Sequence, residues 1–367
     1  MIRTRRERFL LLYNGKDISV DVSEDLDTAS WTDKSGKEAN TLNVTLHNAH
    51  GRWANEWLPA KGAKLTASIE VRDWNAQGDN ATLPCGTFEI DEIEVSGGAA
   101  SKATIKAIST PVTSKIRGNI KTKAWQDVKL SVIAGEMAAN AGLALYFDLD
   151  TDPQYQREDQ MQETDLNFLQ GLCNDAGATL KVSHDKIVIY SEEKREQSGA
   201  TITITPGMLS DWRLKSKSSE VHASAKVEYH DPETNEDYEY TYEGDLADLS
   251  GDDENGRTLV TNQRCKSLAE AEELAKNALR EKNKFEVSGS FSCMGDIRLV
   301  AGSNVQLSGF GKFDGKYAVD SATHSIGGGY RCSVAIRRAL GKEGAKKDGP
   351  EPGWGDFSYL GEEIYRE

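Results

Sequence analysis

The sequence pattern that comes nearest to a metal site is a run of alternating carboxylates at Asp148, Asp150 and Asp152. Alternating acidic side chains open calcium-binding loops, in which oxygen ligands surround a hard cation. Such a loop needs glycine at its sharp turn and a bidentate glutamate at its end, whereas this chain has Pro153 and Asp159 at those places. We therefore predict a solvated loop and no bound metal.

Histidines offer a second set of possible ligands. His47 and His50 have a spacing that suits zinc on a helix, but they lie in a connection rich in glycine and asparagine, with no cysteine nearby. The remaining histidines are isolated from one another in the sequence. The pattern favours structural or surface histidines, and the sequence predicts no metal and no cofactor.

Motifs of catalysis and nucleotide binding are also missing. The sequence has no GxSxG, HExxH or GxxxxGK[ST] string. Gly309, Gly311 and Gly315 lead into an expected strand, so they cannot place a phosphate on a helix N-terminus. Abundance alone cannot select a catalytic pair among 59 acidic residues. The sequence favours a protein that is not an enzyme.

Composition narrows the class of protein further. A length of 367 residues with 38% hydrophobic content suits two or three globular domains. A net charge of −15 argues against a surface that binds nucleic acid specifically, although DNA could pass an acidic wall without adhering. No apolar run approaches membrane-spanning length, so we expect no stable membrane insertion. Five scattered cysteines without a CxxC pair predict buried, reduced thiols. The apolar segment Phe9–Leu12 after the basic N-terminus is too short for a signal peptide, so we expect synthesis in a cytoplasm.

Two distant stretches share the pattern of one β-hairpin, Gly86–Ile108 and Gly315–Ile336. Both alternate apolar residues on either side of a glycine turn, as expected for a hairpin with one buried face. The matched positions are Gly86 with Gly315, Phe88 with Tyr317, and Asp91 with Asp320. The chain therefore contains what reads as one β module twice.

The likeness extends upstream of each hairpin. A strand led by Gly62 precedes the first hairpin, and one led by Gly302 precedes the second. Trp31 and Trp212 are followed at equal offsets by alternating apolar residues, namely Leu42, Val44 and Leu46 in the first copy and Ala223, Ala225 and Val227 in the second. Preserved order and spacing favour duplication over coincidence.

We expect an α+β chain, mostly β, in which two related tube-like β-barrel modules flank a small α/β domain. The predicted units are a first module at 1–110, the α/β domain at 111–198, a second module with an added helix at 199–340, and a flexible tail at 341–367.

Several local features complete this prediction. After a turn at Asn14–Gly15 we expect a strand at Ile18–Val22, and we expect a helix at Trp125–Ala141. Thr164 is a candidate N-cap of a second helix. The polar stretch 191–199 is typical of a linker, and the acidic stretch 231–255 of a mobile hairpin or loop.

The order of these elements resembles that of the late control D proteins, the Mu-like baseplate hub family of contractile phage tails, which is related to the N-terminal core of type VI secretion spike proteins. The resemblance covers residues 1 to about 340. It rests on LHNAHGRW before the Gly62 strand, on QETDLNFLQGLCNDAGATLKVSHDKIVIY, on IRLVAGSNVQLSG and on GKYAVDSATHSIGGGYRCSVAI.

The resemblance implies a structural role at the tail tip, in the virion, after assembly in the bacterial cytoplasm. It implies a homotrimer whose paired modules form a ring with pseudo-sixfold symmetry, between the tail tube and a separate spike protein, beside other baseplate proteins. Two alternatives stay open. One is a peptidoglycan hydrolase of the tail tip; the other is a carbohydrate- or receptor-binding β module, with Trp53, Trp57 and Trp74 as its candidate exposed aromatic residues.

Overall fold

The computed structural model describes residues 4–36, 38–97, 101–109, 120–183, 185–217, 221–231, 235–244, 257–265 and 267–340. The predicted C-terminal tail and much of the acidic stretch 231–255 lie outside these residues. Among the described helices, none is long and apolar enough to cross a bilayer.

The described fold is mostly β with few helices, as predicted. In chain order the strands are β1 (Arg6–Tyr13), β2 (Lys16–Asp17), β3 (Leu26–Lys34), β4 (Thr41–His47), β5 (Lys64–Arg72), β6 (Ala81–Ser96), β7 (Lys102–Ile108), β8 (Ile120–Lys129), β9 (Ala144–Asp148), β10 (Gln154–Thr164), β11 (Ala178–Val182), β12 (Lys186–Ser191), β13 (Ile202–Ile204), β14 (Leu209–Ser216), β15 (Ser224–Asp231), β16 (Glu236–Glu243), β17 (Thr258–Thr261), β18 (Val287–Met294), β19 (Asn304–Leu307), β20 (Gly315–Ile326) and β21 (Tyr330–Arg338). The helices are α1 (Ser19–Asp25), α2 (Leu130–Ala141), α3 (Asp165–Asp175), α4 (Glu192–Gln197) and α5 (Leu268–Asn283).

A 13-stranded sheet forms the largest layer, in the order β14-β18-β21-β20-β3-β4-β7-β6-β5-β1-β2; in addition, β19 pairs with β20, and β13 pairs with β19. Alternating apolar residues of these strands form one continuous core. In the described residues no pairing joins β2 to β14, so the sheet is open. The predicted closed barrels are absent there, because the two halves continue into each other through β20 and β3.

Residues 120–191 contribute a separate core beneath α2 and α3. Strand β12 pairs with β11 antiparallel and with β9 parallel, and β8 pairs with β10. Thr164 caps α3 as predicted, since its Oγ1 accepts from the backbone N–H of Asn167 at 3.3 Å. The helix predicted from Trp125 begins only at Leu130, because residues 120–129 pair with β10.

A separate three-stranded sheet, called the inserted sheet below, is formed by residues that lie between β14 and β18 in the sequence. Strand β15 pairs with β16 and β17, and α5 covers them with a small core of its own. Tyr238, Tyr240 and Tyr242 of β16 pack against that core. Part of the acidic stretch therefore forms a hairpin, one of the two predicted forms, in which β16 pairs with β15. It is ordered because three alternate residues of β16 are tyrosines with a hydrophobic surface to cover.

Two further predictions of local secondary structure are wrong, and in both places the chain forms a short helix. Residues 19–25 form α1, not a strand, since Asp17 Oδ1 accepts from the Ser19 N–H at 2.8 Å and ends β2. The expected linker at 191–199 contains α4, whose Ser191 side chain caps its first turn. The buried carboxylate of Glu196 then ties α4 to distant strands.

Candidate interaction surfaces: matched hairpins and free sheet edges

The hydrogen bonds around Gly62 and Gly302 match. The Gly62 N–H donates to the Ile90 carbonyl at 2.9 Å, and the Gly302 N–H donates to the Val319 carbonyl at 2.9 Å. Both glycines have left-handed backbones, with φ of 78° and 83°. Each glycine therefore turns the chain into the strand that follows it, β5 or β19, and anchors the start of that strand to the matching residue of a hairpin, Ile90 or Val319.

The register of the following strands matches as well. Phe88 lies opposite Leu65 in β6 and β5, and Tyr317 lies opposite Val305 in β20 and β19. Gly86 and Gly315 both have positive φ, at 98° and 141°. They lie opposite residues in corresponding places, Ala67 and Leu307.

Asp91 and Asp320 mark a bulge in each hairpin. The ladder between β6 and β7 passes from Ile90 to Glu92, and the ladder between β20 and β21 passes from Val319 to Ser321. A bulged residue bends its strand and changes the direction of its edge. In β20 the residues before the bulge pair with β19 and those after it pair with β3.

The predicted match of Trp31 with Trp212 is shifted by two residues. Strands β3 and β14 have a further pair of matched bulges, since their ladders skip Asp27 and Ser210. Counting from those bulges, Leu214 takes the place of Trp31. Trp31 is 1% exposed and Trp212 is 49% exposed.

The strand that pairs with β14 also differs from the prediction. Strand β4 carries Leu42, Val44 and Leu46, and β18 takes the corresponding place beside β14. Ala225 and Val227 lie instead in the inserted sheet of β15–β17. Their equal offsets from the tryptophans are therefore a coincidence, since this sheet lies between β14 and β18 in the sequence.

A junction of β20 with β3 joins the two halves of the large sheet. Residues Ser321–Ile326 pair antiparallel with Ala29–Lys34. Within it, the Oγ1 atoms of Thr32 and Thr323 are 3.0 Å apart, and the rings of Trp31 and His324 are 5.2 Å apart on the buried side.

Among the strand edges without a partner in the described part of the chain, two belong to matched strands of the large sheet. The segment Asp91–Ser96 of β6 pairs with β7 on one side only, and β14 pairs with β18 on one side only. Val95 at one edge and Trp212 at the other are 45% and 49% exposed. Exposed backbone groups on edge strands are templates for pairing with another chain.

A buried ion pair connects the large sheet to the α/β region. Lys181 Nζ lies 2.6 Å from Asp33 Oδ1, with the side chains 4% and 2% exposed. Asp33 also accepts from Asn40 Nδ2 and from the Ala301 N–H, each at 2.9 Å. Such dense donation compensates the desolvation of a buried carboxylate.

Helix α4 adds a second set of ion pairs to this contact between the large sheet and the α/β region, which is called the seam below. Glu196 contacts the guanidinium groups of Arg337 and Arg280. Burial tends to raise the pKa of Glu192, but nearby Arg337 and Lys284 outweigh it, so that the pKa lies below its usual value. These cations therefore hold the Glu192 carboxylate ionised.

The residues considered for chemistry have structural contacts. Asp152 caps α2, accepting from the Ser131 N–H and hydroxyl at 3.1 and 2.7 Å. Lys194 Nζ lies 2.7 Å from Asp148 and 3.4 Å from Asp150. His47 lies 3.6 Å from Asp27 and is not joined to His50 by any described contact. No cluster of metal ligands occurs in the described residues.

The candidate aromatic residues do not form an exposed patch. Trp53 is buried and meets half-buried Trp57 edge to face with ring centroids 5.2 Å apart. Trp74 is buried against Tyr330 and donates its indole N–H to the Gly295 carbonyl at 2.7 Å. These side chains cover the core and leave no aromatic platform for a sugar ring.

All five cysteines are free and buried, as predicted. Burial raises the pKa of Cys173 and of Cys293 to about 12. Such thiols are poor nucleophiles, because the thiolate is scarce at neutral pH.

The family of the chain follows from comparison with known sequences. A model described as "Phage tail baseplate hub (GPD)" matches residues 62–330. The chain belongs to this phage tail baseplate hub family, as its resemblance predicted. A probable baseplate hub protein of Escherichia phage 186 is 30% identical over 181 residues, which are 49% of this chain and 44% of that relative. The chain spans about half the length of the curated relatives it matches.

Solved structures share the fold. A 43 kDa tail protein of prophage MuSo2 from Shewanella oneidensis has a TM-score of 0.66 at 14% identity, covering 91% of this chain and 99% of its own. An E. coli component of the type VI secretion system has a TM-score of 0.54 at 10% identity, covering 95% and 80%. At these identities the likeness concerns the fold alone.

Sequence reasoning missed the seam and the free edges. Asp33 and Lys181 sit in alternating strands where charged residues usually face water, and nothing local distinguishes them. The acid–base alternation Glu92, Glu94 and Lys215, Lys217 is visible in the sequence and gives a signal for edge strands. This charge pattern can be assigned to a contact only when it is known which strands lack a neighbour, and the sequence alone does not show that.

Proposed function

We propose that this chain is the hub of a tail baseplate, in which three copies form a ring of six related β modules. The ring would join a sixfold tail tube to a threefold spike made by a separate polypeptide. A closed ring requires repeated and mutually compatible surfaces, and a doubled module in a trimer supplies six of them.

The observation that carries the proposal is the residue-by-residue match of the two halves of the large sheet. Two glycine-led strands and two pairs of bulges fall at corresponding positions. This match supports two modules, one in 1–110 and one in 199–340 with β15–β17 and α5 inserted, flanking an α/β domain at 111–198. The repeated positions are then parts of a ring wall: Gly62, Gly86, Phe88 and Asp91, with Gly302, Gly315, Tyr317 and Asp320.

The proposed role is mechanical and not catalytic. The hub would adapt symmetry, hold the spike and surround a channel whose acidic balance lets DNA pass without specific binding. We place it in the virion baseplate, beside tube and baseplate proteins, after assembly in the bacterial cytoplasm. Support comes from the family and from relatives named as baseplate hub proteins.

Light scattering and electron microscopy of the purified full chain test this proposal. We expect a trimeric mass and a ring with six lobes viewed down its axis. A chain that stays monomeric at high concentration, and forms no ring when its tube or spike partner is added, would overturn it. Release of fragments from purified peptidoglycan, abolished by a point substitution, would favour the hydrolase alternative instead.

A further inference from the structure

We propose that neighbouring copies join by antiparallel pairing of β6 of one copy with β14 of the next, in one register that places Glu94 opposite Lys215. This inference rests on the proposed ring and specifies its contact. The partner of both free edges is thus a second copy of this chain.

The template for the contact is the junction already present inside one chain. Segment Ser321–Ile326 of β20 pairs with Ala29–Lys34 of β3 immediately after the Asp320 bulge. Strand β6 matches β20, and β14 matches β3, by ladder position and by bulge. The two matched segments, Asp91–Ser96 and Leu209–Ser216, each have no neighbour on the corresponding edge in the described residues. Each edge therefore lacks the kind of strand that the other provides.

Transferring the register of the junction fixes the opposing residues. Inside the chain Thr323 lies opposite Thr32. The matched positions are Glu94 in β6 and Lys215 in β14, both exposed. In the described residues neither has an ion-pair partner. Opposite charges directly across an antiparallel pair stabilise it, so the hydroxyl contact inside the chain is replaced by an acid–base contact between copies.

The neighbouring positions agree in charge. The pair Ser321–Lys34 of the junction becomes Glu92 opposite Lys217. Glu92 also lies 3.1 Å from Lys106 on its own hairpin, so it would be shared between two lysines. Shifting the strands by one residue would turn the acidic and basic side chains to opposite faces, so charge excludes that shift, and the match with the junction sets the register.

The residues on the apolar face of the proposed contact are complementary in size, a small residue of one strand facing a larger residue of the other. The contact of His324 with Trp31 becomes Val95 opposite Leu214, which would cover a valine that is 45% exposed in the single chain. The pair Ile326–Ala29 becomes Gly97 opposite Trp212. A Cβ on Gly97 would have no neighbour within 4 Å, so this place is open for the indole ring.

Charge reversal in the full chain tests the register. We expect Glu94→Lys and Lys215→Glu each to weaken trimer formation about 10- to 100-fold, since like charges would face each other at all three contacts. The double variant should return to wild-type assembly. Asp159→Lys on β10 is the control, because this exposed carboxylate lies outside both edges.

A disulfide gives a second measurement that does not depend on charge. Val95→Cys with Leu214→Cys should form covalent dimers and closed trimers on oxidation, because the two side chains lie side by side across the contact. The native cysteines are buried and should not compete. In the control, Val95→Cys with Arg213→Cys, the side chains point to opposite faces and should not join.

The outcomes separate this inference from the ring itself. A wild-type chain that forms the ring, while both charge reversals assemble normally and the Val95–Leu214 pair gives no disulfide, would overturn this register and leave the ring standing. A wild-type chain that remains monomeric with its partners present would overturn the ring and the register together.

Discussion

Asp91 and Asp320 are each the residue that the ladder of its hairpin skips, one position after the aliphatic residue that bonds to a glycine-led strand. In β20 this bulge is the point where the strand exchanges one neighbour for another. Among the described strands, β20 therefore has three neighbours: β21 on one side, and on the other side β19 before the bulge and β3 after it. The bulge is thus what allows the two halves to become one sheet.

The buried pair of Lys181 and Asp33 should dominate the stability of the seam. Lys181→Met leaves the Asp33 carboxylate buried without its cation, and we expect a loss of about 3–5 kcal/mol in the free energy of unfolding. Lys194→Met is the matched control: it removes a 47% exposed side chain from Asp148 and should cost less than about 1 kcal/mol. Urea denaturation of both variants measures the difference. Equal losses would contradict the assigned role.

The glycine turn of the second hairpin should be sensitive at one position. A Cβ on Gly327 would lie 2.4 Å from the Asp27 carbonyl oxygen at the β3 bulge, whereas a Cβ on Gly328 meets nothing within 4 Å. We expect Gly327→Ala to cost at least about 2 kcal/mol, through backbone displacement. Gly328→Ala should cost about 1 kcal/mol, the strain of a left-handed alanine. Thermal unfolding of both variants measures the two losses. A larger loss of stability for Gly328→Ala than for Gly327→Ala would contradict this prediction.

The two tryptophans should behave differently despite their similar sequence context. Trp31→Ala removes a fully buried ring, so we expect it to lower the free energy of unfolding by about 3–5 kcal/mol. Trp212→Ala should lower the stability of the single chain by only about 1–2 kcal/mol, because half of the ring is exposed and the rest meets Phe310 edge to face. Denaturation at a concentration where the chain is monomeric measures both. A large loss for Trp212→Ala alone would contradict the assigned burial.

Acid should destabilise the chain through His324. Burial lowers the pKa of His324 to about 4, only partly offset by the hydrogen bond to the Leu299 carbonyl. The unfolded chain binds this proton near pH 6.5, so the fold loses about 3 kcal/mol as pH falls from about 6.5 to 4. Above pH 6.5 the His324 ring is neutral in both the folded and the unfolded chain, so it does not change the unfolding free energy with pH.

The neutral ring explains this behaviour. Nε2 donates to the Leu299 carbonyl at 2.9 Å, and Nδ1 accepts from the Tyr330 hydroxyl at 2.6 Å. His324→Phe cannot titrate, so its unfolding free energy, although lower at neutral pH, should fall less steeply between pH 6.5 and 4. An identical slope in the variant would assign the acid sensitivity to carboxylates instead.

Local sequence signals were sufficient for the hairpins but not for their neighbours. Glycines with positive φ and period-two alternation are local, so Gly86, Gly315 and the strands after them could be predicted. The partner of β14 could not, because β18 lies beyond an inserted sheet. The same reason explains α4: its Glu196 is buried against Arg337, which is 141 positions away, and Arg280.

Strand β3 forms early in the chain, whereas its neighbour β20 is among the last strands. During synthesis on the ribosome, the β3 edge therefore waits uncovered until residue 326 has emerged from the exit tunnel. Pairing over so long a separation is slow. We expect truncated or stalled chains of this protein to be aggregation-prone and dependent on chaperones, since the edge that completes the fold arrives near its end.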